Sequence, residues 1–466
     1  MLAVIATFKD QVTTDQFSQN FFYAMATVAV VLAVAGLCFV EAGLVQRRNV
    51  LDSIVQKLTG FMIGTAAYAA IGFAIWNWQF YDAFGVKNAY SQAISDWWLG
   101  GGLFRTVAQN VDPASAPGVS NSQIFFVFLA VYGGFICVLL HFAGSERLKA
   151  GPYYVMCALI GGIVYPVLLW LTWGSTSPLT NNGTHDFVGV FTAYIFVAAL
   201  GLFLARRLGP RAGLFEPHPT NGAWAPYNVA LSGIGVLILM FAIPLIVLGC
   251  GYFIPGQGYY GIAMSTSSFG LVFGNVFMGF CGGAIAGAWL GYRTKNPVHV
   301  LLGPISGYLG GVSGFDVLKP WEMLLIGFIG PFVVAYVYNW LHDRRIDESK
   351  VVPLGASALV GAIIVSFVAW GTKTGGYIGI DSGKFAFQNA EITPWWQLIG
   401  VAVTLVAAAL CAGVFVLLDR TIGLRVSEEE ETVGADLTRW NIPPVGSELP
   451  GSAAAAVAEP TLESVP

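Results

Sequence analysis

Apolar runs of about twenty residues recur along this chain, and each carries almost no charge. One of them, THDFVGVFTAYIFVAALGLFL (184–204), opens with Asp186 and afterwards has polar side-chain atoms only on Thr192 and Tyr194. Crossing the hydrocarbon core of a bilayer takes about 20 helical residues. Inside that core no water satisfies a bare backbone, so only helices and closed barrels span it. The runs here are continuous and do not alternate, which excludes a barrel. Composition agrees: 56% of residues are hydrophobic and 10% are charged, against about 25% charged in soluble domains. The expected fold is an all-α polytopic membrane protein.

Eleven spans are expected, at about 21–45, 54–77, 123–142, 153–173, 186–205, 226–252, 259–291, 299–315, 321–341, 353–371 and 395–419. The 259–291 run is long enough to include a lead-in outside the membrane. Lys and Arg placement tests the count. One set of alternate loops holds fifteen of them, from Arg47 to Arg439, and the other holds Lys9, Lys87, Arg105, Lys319, Lys373 and Lys384. Lys57 falls at the start of a helix on the basic side. This asymmetry fits an odd number of spans with the N-terminus outside and the C-terminus in the cytoplasm. Spans one to five and six to ten then have opposite orientations, as a 5+5 inverted repeat followed by a final helix requires. The expected organisation is an external segment (1–20), a transmembrane domain (21–422) and a cytoplasmic tail (423–466), disordered after about 441. No cleavable signal peptide is read in the first twenty residues, and a multi-pass protein of the plasma membrane is expected.

Few residues offer chemistry. The five histidines fall at helix ends or in loops, and none forms a metal-binding pair within a span. There is no GxSxG elbow, no Walker A loop and no GxGxxG after a strand. The expectation is neither an enzyme nor a metal or cofactor protein. The net charge of −4 gives no reason to expect a nucleic-acid partner. All six cysteines lie in or at the ends of apolar runs and read as inert thiols. Gly283, Gly287 and Gly291, and likewise Gly303, Gly307 and Gly311, form small-residue ridges that let helices approach closely. Asn275 reads as a link between helices. Glu41 lies one to two turns before Arg47 and Arg48 and reads either as a proton or cation site or, preferably, as a structural pair near the inner boundary. Asp186 reads as the cap of its helix or as a carboxylate that supports an outer cation site.

Several segments together resemble the ammonium transporter and Rh channel (Amt/Rh) family, over about residues 20–440. They are EAGLVQRRNVLD after the first span, FAGSERLKAGPYYV (142–155), YPVLLWLTWG (165–174), DFVGVFTAYI (186–195) and GLRVSEEEETVGADL (423–437). The last is the most specific. The resemblance implies a homotrimer with one narrow apolar pore per subunit. It implies an outer site where a Trp holds ammonium by cation–π attraction, with Trp173 in that place and Asp186 as its indirect support. It also implies a Phe gate, two facing pore histidines, and a tail read by a PII-type cytoplasmic regulator, with Gly423, Leu424, Arg425, Glu428 and Glu429 as the coupling residues.

The departures from that pattern are large. The two pore histidines fall on Tyr194 and Leu354, and no His occurs in 343–466. The outer gate falls near Tyr132, with Phe135 as the neighbouring choice. The sixth span ends MFAIPLIVLGC, which places Pro244 near the inner gate and Leu248 near a family Ser. Asp186 follows Trp173 by slightly more than the family spacing. After Leu437, TRWNIPPVG departs from the family ending, which counts against a PII partner. An imidazole relays protons near neutral pH; a phenol with reference pKa about 10 does so poorly and Leu does not. The expected function is movement of ammonium, ammonia or a similar small molecule such as methylamine or carbon dioxide. The alternative is a non-conducting sensor or regulatory subunit.

Overall fold

The computed structural model describes residues 14–100, 119–215, 226–254 and 256–443. The expected external segment up to residue 13, the DPASAPG stretch (112–118) and the tail beyond 443 lie outside the described residues. Among the described residues ten helices are long and apolar enough to cross a membrane. In chain order the helices are α1 (Thr14–Leu44), α2 (Arg47–Ala83), the short α3 (Ala89–Trp97), α4 (Val119–Gly144), α5 (Ala150–Thr172) and α6 (Val190–Leu208). There follow α7 (Val229–Leu248), α8 (Phe269–Thr294), α9 (Pro297–Gly311), α10 (Pro320–Asp343), α11 (Val351–Val368) and α12 (Pro394–Thr421). Two one-and-a-half-turn helices, α13 (Glu428–Val433) and α14 (Ala435–Trp440), close the tail. Small antiparallel hairpins, Gly251–Ile254 with Gly258–Gly261 and Lys373–Thr374 with Ala390–Glu391, lie in the links before α8 and before α12.

The expected eighth span, 299–315, is α9, and it has 15 residues. At 1.5 Å per residue it is roughly 22 Å long, less than the hydrocarbon thickness of about 30 Å. It nevertheless lies within the bundle. Gly283 and Gly287 of α8 face Gly303, Gly307 and His299, while Met323 and Gly330 of α10 face Gly311 and Ser306 respectively. That order of contacts makes α9 antiparallel to both neighbours, so helix direction still alternates along the chain. The segment after α9 is held by Asn275, whose Nδ2 donates to the carbonyls of Phe315 (2.8 Å) and Leu318 (2.7 Å). Asn275 therefore joins a helix to a loop, where a helix-to-helix bond was expected.

Glycine sets how closely the helices approach. A Cβ on Gly283 would run into the Gly303 carbonyl. Between α1 and α7, Gly36 lies against Gly235, and Gly43 lies against Ser232 and Asn228. These two helices therefore run antiparallel, the relation that an inverted repeat requires of the first spans of its halves. Three spanning helices contain π-type turns, at Tyr68–Gly72, Ile160–Val164 and Val190–Ile195. Such turns shift the side-chain register locally. Of the six thiols, Cys281 is exposed on the flank of α8, Cys38 is half-buried and the other four are buried, so inert burial holds for those four alone.

Adding one methyl at the α8–α9 contact is expected to cost about 1–3 kcal/mol through overpacking. Gly274, on the same helix, has nothing within 4 Å of an added Cβ. In thermal unfolding of the detergent-solubilised protein, Gly283→Ala should lower the midpoint by several degrees and Gly274→Ala should leave it unchanged.

Candidate functional site

Trp173 caps the end of α5, where its backbone turns extended. Its indole Nε1 donates to the Phe187 carbonyl (3.2 Å), and its ring lies near those of Trp76 (6.1 Å) and Phe125 (6.3 Å, near parallel). Trp173 is 2% exposed. The open pocket at this end of the bundle is walled by Trp76 and Phe125, together with Tyr81, Trp97 and Tyr252. Trp173 lies one layer deeper, on a small cavity of about 220 Å³ shared with Phe128, Tyr132, Tyr165, Gly189 and Cys250. Tyr165 belongs to that wall, and its buried hydroxyl has no hydrogen-bond partner among the described residues. A buried polar group left unpaired costs about 1–3 kcal/mol, so this hydroxyl favours a polar guest.

Asp186 adopts the capping role. Its Oδ1 accepts from the Val190 amide (2.7 Å) and its Oδ2 from the Phe191 amide (3.3 Å), the first two amides of α6. Gly189 between them has φ 76°, and a Cβ there would crowd the Tyr132 hydroxyl. The π turn that follows carries Tyr194.

A second cavity, of about 690 Å³, lies deeper. Tyr132, Phe135, Tyr194 and Leu354 all line it. Tyr194 and Leu354, the two positions where pore histidines were expected, thus share one chamber, and Tyr132, which borders both cavities, stands between the chambers. The Tyr132 hydroxyl donates to the Val188 carbonyl (2.7 Å). Tyr308, a wall residue that sequence reading missed, brings its hydroxyl within 3.4 Å of that of Tyr194. The only sign of it was a tyrosine set among the glycines of α9. Every other wall residue of this chamber is aliphatic, Gly or Phe135, and none carries a formal charge at neutral pH.

Pro244 and Leu248 are buried in α7 but are not among the residues that line either chamber. The α7 face that lines the inner chamber is Leu239, Ile243 and Ile246, spaced i, i+4, i+7 along one stripe. Pro244 and Leu248 lie about 130° and 170° around the helix from the middle of that stripe. Counting through a segment with no matching motif had set them on the wrong face.

Toward the far end the first charges appear. Glu41 is buried and pairs with Lys57, with Lys350 (3.4 Å) and with His141 (3.3 Å). Arg47 and Arg48, the partners suggested by sequence spacing, point elsewhere: Arg48 donates to the Thr432 carbonyl and Arg47 lies over the Tyr227 ring. At the Trp173 end a separate buried pair, His185 Nε2 with Asp316 Oδ1 (3.0 Å), ties the loop before α6 to the loop after α9. Neither partnership was legible: His185 and Asp316 are 131 positions apart, and Glu41 meets Lys57, Lys350 and His141 only because different helices pack together.

The family model described as the Ammonium Transporter Family matches residues 21–442. The chain belongs to the ammonium transporter family. Ammonium transporter Amt1 of Methanocaldococcus jannaschii is 26% identical over 432 residues, covering 89% of this chain and 94% of the relative. Ammonium transporter Amt2 of Archaeoglobus fulgidus is 26% identical, covering 86% and 83%. Among solved structures, one named Sensor Amt Protein superposes with a TM-score of 0.67 at 18% identity, covering 91% of this chain and 98% of that one. Mep2 of Saccharomyces cerevisiae superposes with a TM-score of 0.65 at 15% identity, covering 90% and 91%.

In this ammonium transporter family member the tail is docked on its own bundle. Gly423 takes φ 72°, the Lys149 amide donates to the Leu424 carbonyl (2.8 Å), and Arg425 donates to the carbonyls of Leu208 and Pro210 and to Glu431. Glu428 and Glu429 are exposed in the first turn of α13 and make none of these docking bonds. The docking acids are their neighbours: Glu431 accepts from the Ala212 amide (2.8 Å), and Asp436 accepts from the amides of Leu51 and Asp52 at the start of α2. Arg439 and the Trp440 indole both donate to Asp52, so the segment that departs from the family ending takes part in docking. In a run of four glutamates, only the fold decides which one turns inward.

Beside the tail, Arg211 donates to Glu146 (2.6 Å) and to Asp347 (2.8 Å), and Arg147 lies 3.2 Å from Asp347. Burial pushes the Asp347 carboxyl up, but Arg147 and Arg211 pull it down further and hold it well below the usual carboxylate range. Burial acts the same way on Glu146, which Arg211 and the bonds from Asn49 and Gln46 hold below its ordinary value. A depressed carboxylate contributes stability above its unfolded pKa and loses it as pH falls through its folded pKa. Breaking these buried pairs with Arg211→Gln should cost about 3 kcal/mol at pH 7. The gap in unfolding midpoint between wild type and variant should be full at pH 7 and shrink progressively below about pH 4. A gap independent of pH would contradict the assignment.

Proposed function

We propose that this chain is a channel that moves ammonia, the conjugate base of ammonium, across the plasma membrane as the uncharged molecule. The observation that carries the reading is the inner chamber: its walls are aliphatic and aromatic, with three tyrosine hydroxyls and no charged side chain. A cation in such a chamber carries a desolvation cost of several kcal/mol, which three neutral hydroxyls do not offset. A small neutral base pays far less and can exchange hydrogen bonds with Tyr194 and Tyr308. Trp173 and the unpaired Tyr165 hydroxyl form the receiving site, where a ring face attracts ammonium. The proton stays on the side of entry, because Tyr194 and Leu354 offer no relay. The relatives named ammonium transporters support the choice of substrate. On this reading the protein is a homotrimer with the N-terminus outside and the docked tail in the cytoplasm, where a PII-type regulator would meet the exposed Glu428 and Glu429.

A second reading is a non-conducting sensor. It is favoured by the depth of Trp173, and by the fold shared with a protein named Sensor Amt Protein.

The test is reconstitution in liposomes with simultaneous current and internal-pH recording on addition of ammonium. The channel reading expects an internal alkaline jump faster than in protein-free liposomes, with little current. Trp173→Leu should slow that jump by about tenfold, the loss of a cation–π contact of 1–2 kcal/mol. A jump no faster than in protein-free liposomes would leave the sensor reading standing.

A further inference from the structure

The inner chamber and the tail-side pocket are separated by a thin layer, and side chains on three helices locate it. On α1, Leu37 lines the chamber and Leu44 lines the tail-side pocket, with Glu41 between them on the same stripe. On α4, Leu139 lines the chamber and Phe142 follows one turn on. At α11, Val351 lines the chamber while Lys350, its neighbour, lines the pocket. Within this layer the Lys57 ammonium lies 4.1 Å from the centroid of the Phe142 ring and the Lys350 ammonium 5.4 Å from it. Glu41 bonds to both lysines, and Ser145 adds a contact to Lys350 (3.3 Å). Lys57 is wholly buried and Lys350 is 14% exposed.

Both ammonium groups gather at the Phe142 ring. Lys57 Nζ also lies 2.7 Å from His141 Nδ1. Glu348, the next acid, keeps its negative charge but turns its carboxylate to the amides of Lys350, Val351 and Val352 at the head of α11. Arg147 and Arg211 are matched by Glu146 and Asp347. Around Phe142 itself, among the described residues, Glu41 is the one carboxylate that bonds to the two lysines.

We infer that the Glu41–Lys57–Lys350 layer around Phe142 is a charge filter at the tail-side end of the path, which turns back small cations and passes only an uncharged molecule. This inference rests on the channel reading and deepens it: it assigns the selectivity for the neutral form to fixed positive charge, in addition to the apolar walls. Between like charges in a water-poor layer the repulsion is much stronger than in bulk water. A small neutral molecule has no net charge to be repelled.

The test removes one ammonium group. Full-length wild type, Lys350→Gln, Lys350→Met and Lys350→Arg are reconstituted in liposomes, and ammonium-evoked current is recorded alongside internal pH. The expected result is a current at least tenfold above wild type in Lys350→Gln or in Lys350→Met, whichever assembles, with Lys350→Arg as low as wild type. If wild type gives the alkaline jump but the assembled neutral variants carry no more current than it does, the filter is refuted and the channel reading stands. If wild type gives neither jump nor current, the channel reading fails and the filter falls with it.

Discussion

The short segment before α6 holds the rest of the site in place. Between Thr184 and Phe191 four backbone groups, the His185 amide and the carbonyls of His185, Phe187 and Val188, are committed to partners outside the segment. The Phe187 carbonyl accepts from the Trp173 indole, and the Val188 carbonyl accepts from the Tyr132 hydroxyl. Gln397 of α12 exchanges two bonds with the backbone of His185, and Thr184 donates to the Trp396 carbonyl. Asp186 turns this strained stretch into a helix by accepting the first amides of α6. In an apolar environment an unsatisfied backbone group costs several kcal/mol. The segment therefore cannot move without releasing Trp173, Tyr132 and the start of α6 together.

From that segment the path is a series of compartments of differing chemistry. An aromatic mouth leads to a small chamber with one unpaired hydroxyl, then past Tyr132 to an apolar chamber with hydroxyls, and then to a charged floor. The polarity rises at both ends and is lowest in the middle. The ionisable groups lie beyond the apolar chamber, at Glu41, Lys57 and Lys350. Their burial is sustained by mutual pairing and by the Phe142 ring, which is the expected compensation for charge in a water-poor place.

The tail links two regions distant in sequence. Asp436 accepts from the first amides of α2, and Arg439 and Trp440 converge on Asp52 in the same turn. Since α2 also carries Lys57 one turn and a half further on, the docked tail and the charged floor share one helix. The run of acids in the tail is split between two jobs: Glu431 and Asp436 face the bundle, while Glu428 and Glu429 stay in solvent.

Much was legible before any coordinates. Hydrophobic run length alone sufficed for membrane helices, because the bilayer imposes one length on every span. Trp173 and Tyr194, singled out by the motif around Asp186 and by counting eight residues on from it, each line a cavity, because a capped helix carries its register forward. The same counting failed at Pro244 and Leu248, where no cap or motif pins the register and an error of one residue turns a side chain by 100°. The shortness of α9 was masked because the apolar run continues into the non-helical residues after Gly311. Run length, helix caps and small-residue ridges are local properties, and the sequence by itself determined them. The depth of Trp173, the entry of Tyr308 into the chamber, the choice of Glu431 over its neighbours and the meeting of Glu41 with Lys57 and Lys350 were decided only by the tertiary structure. Each of these depends on which helix faces are brought together, and that follows from packing among residues tens to hundreds of positions apart.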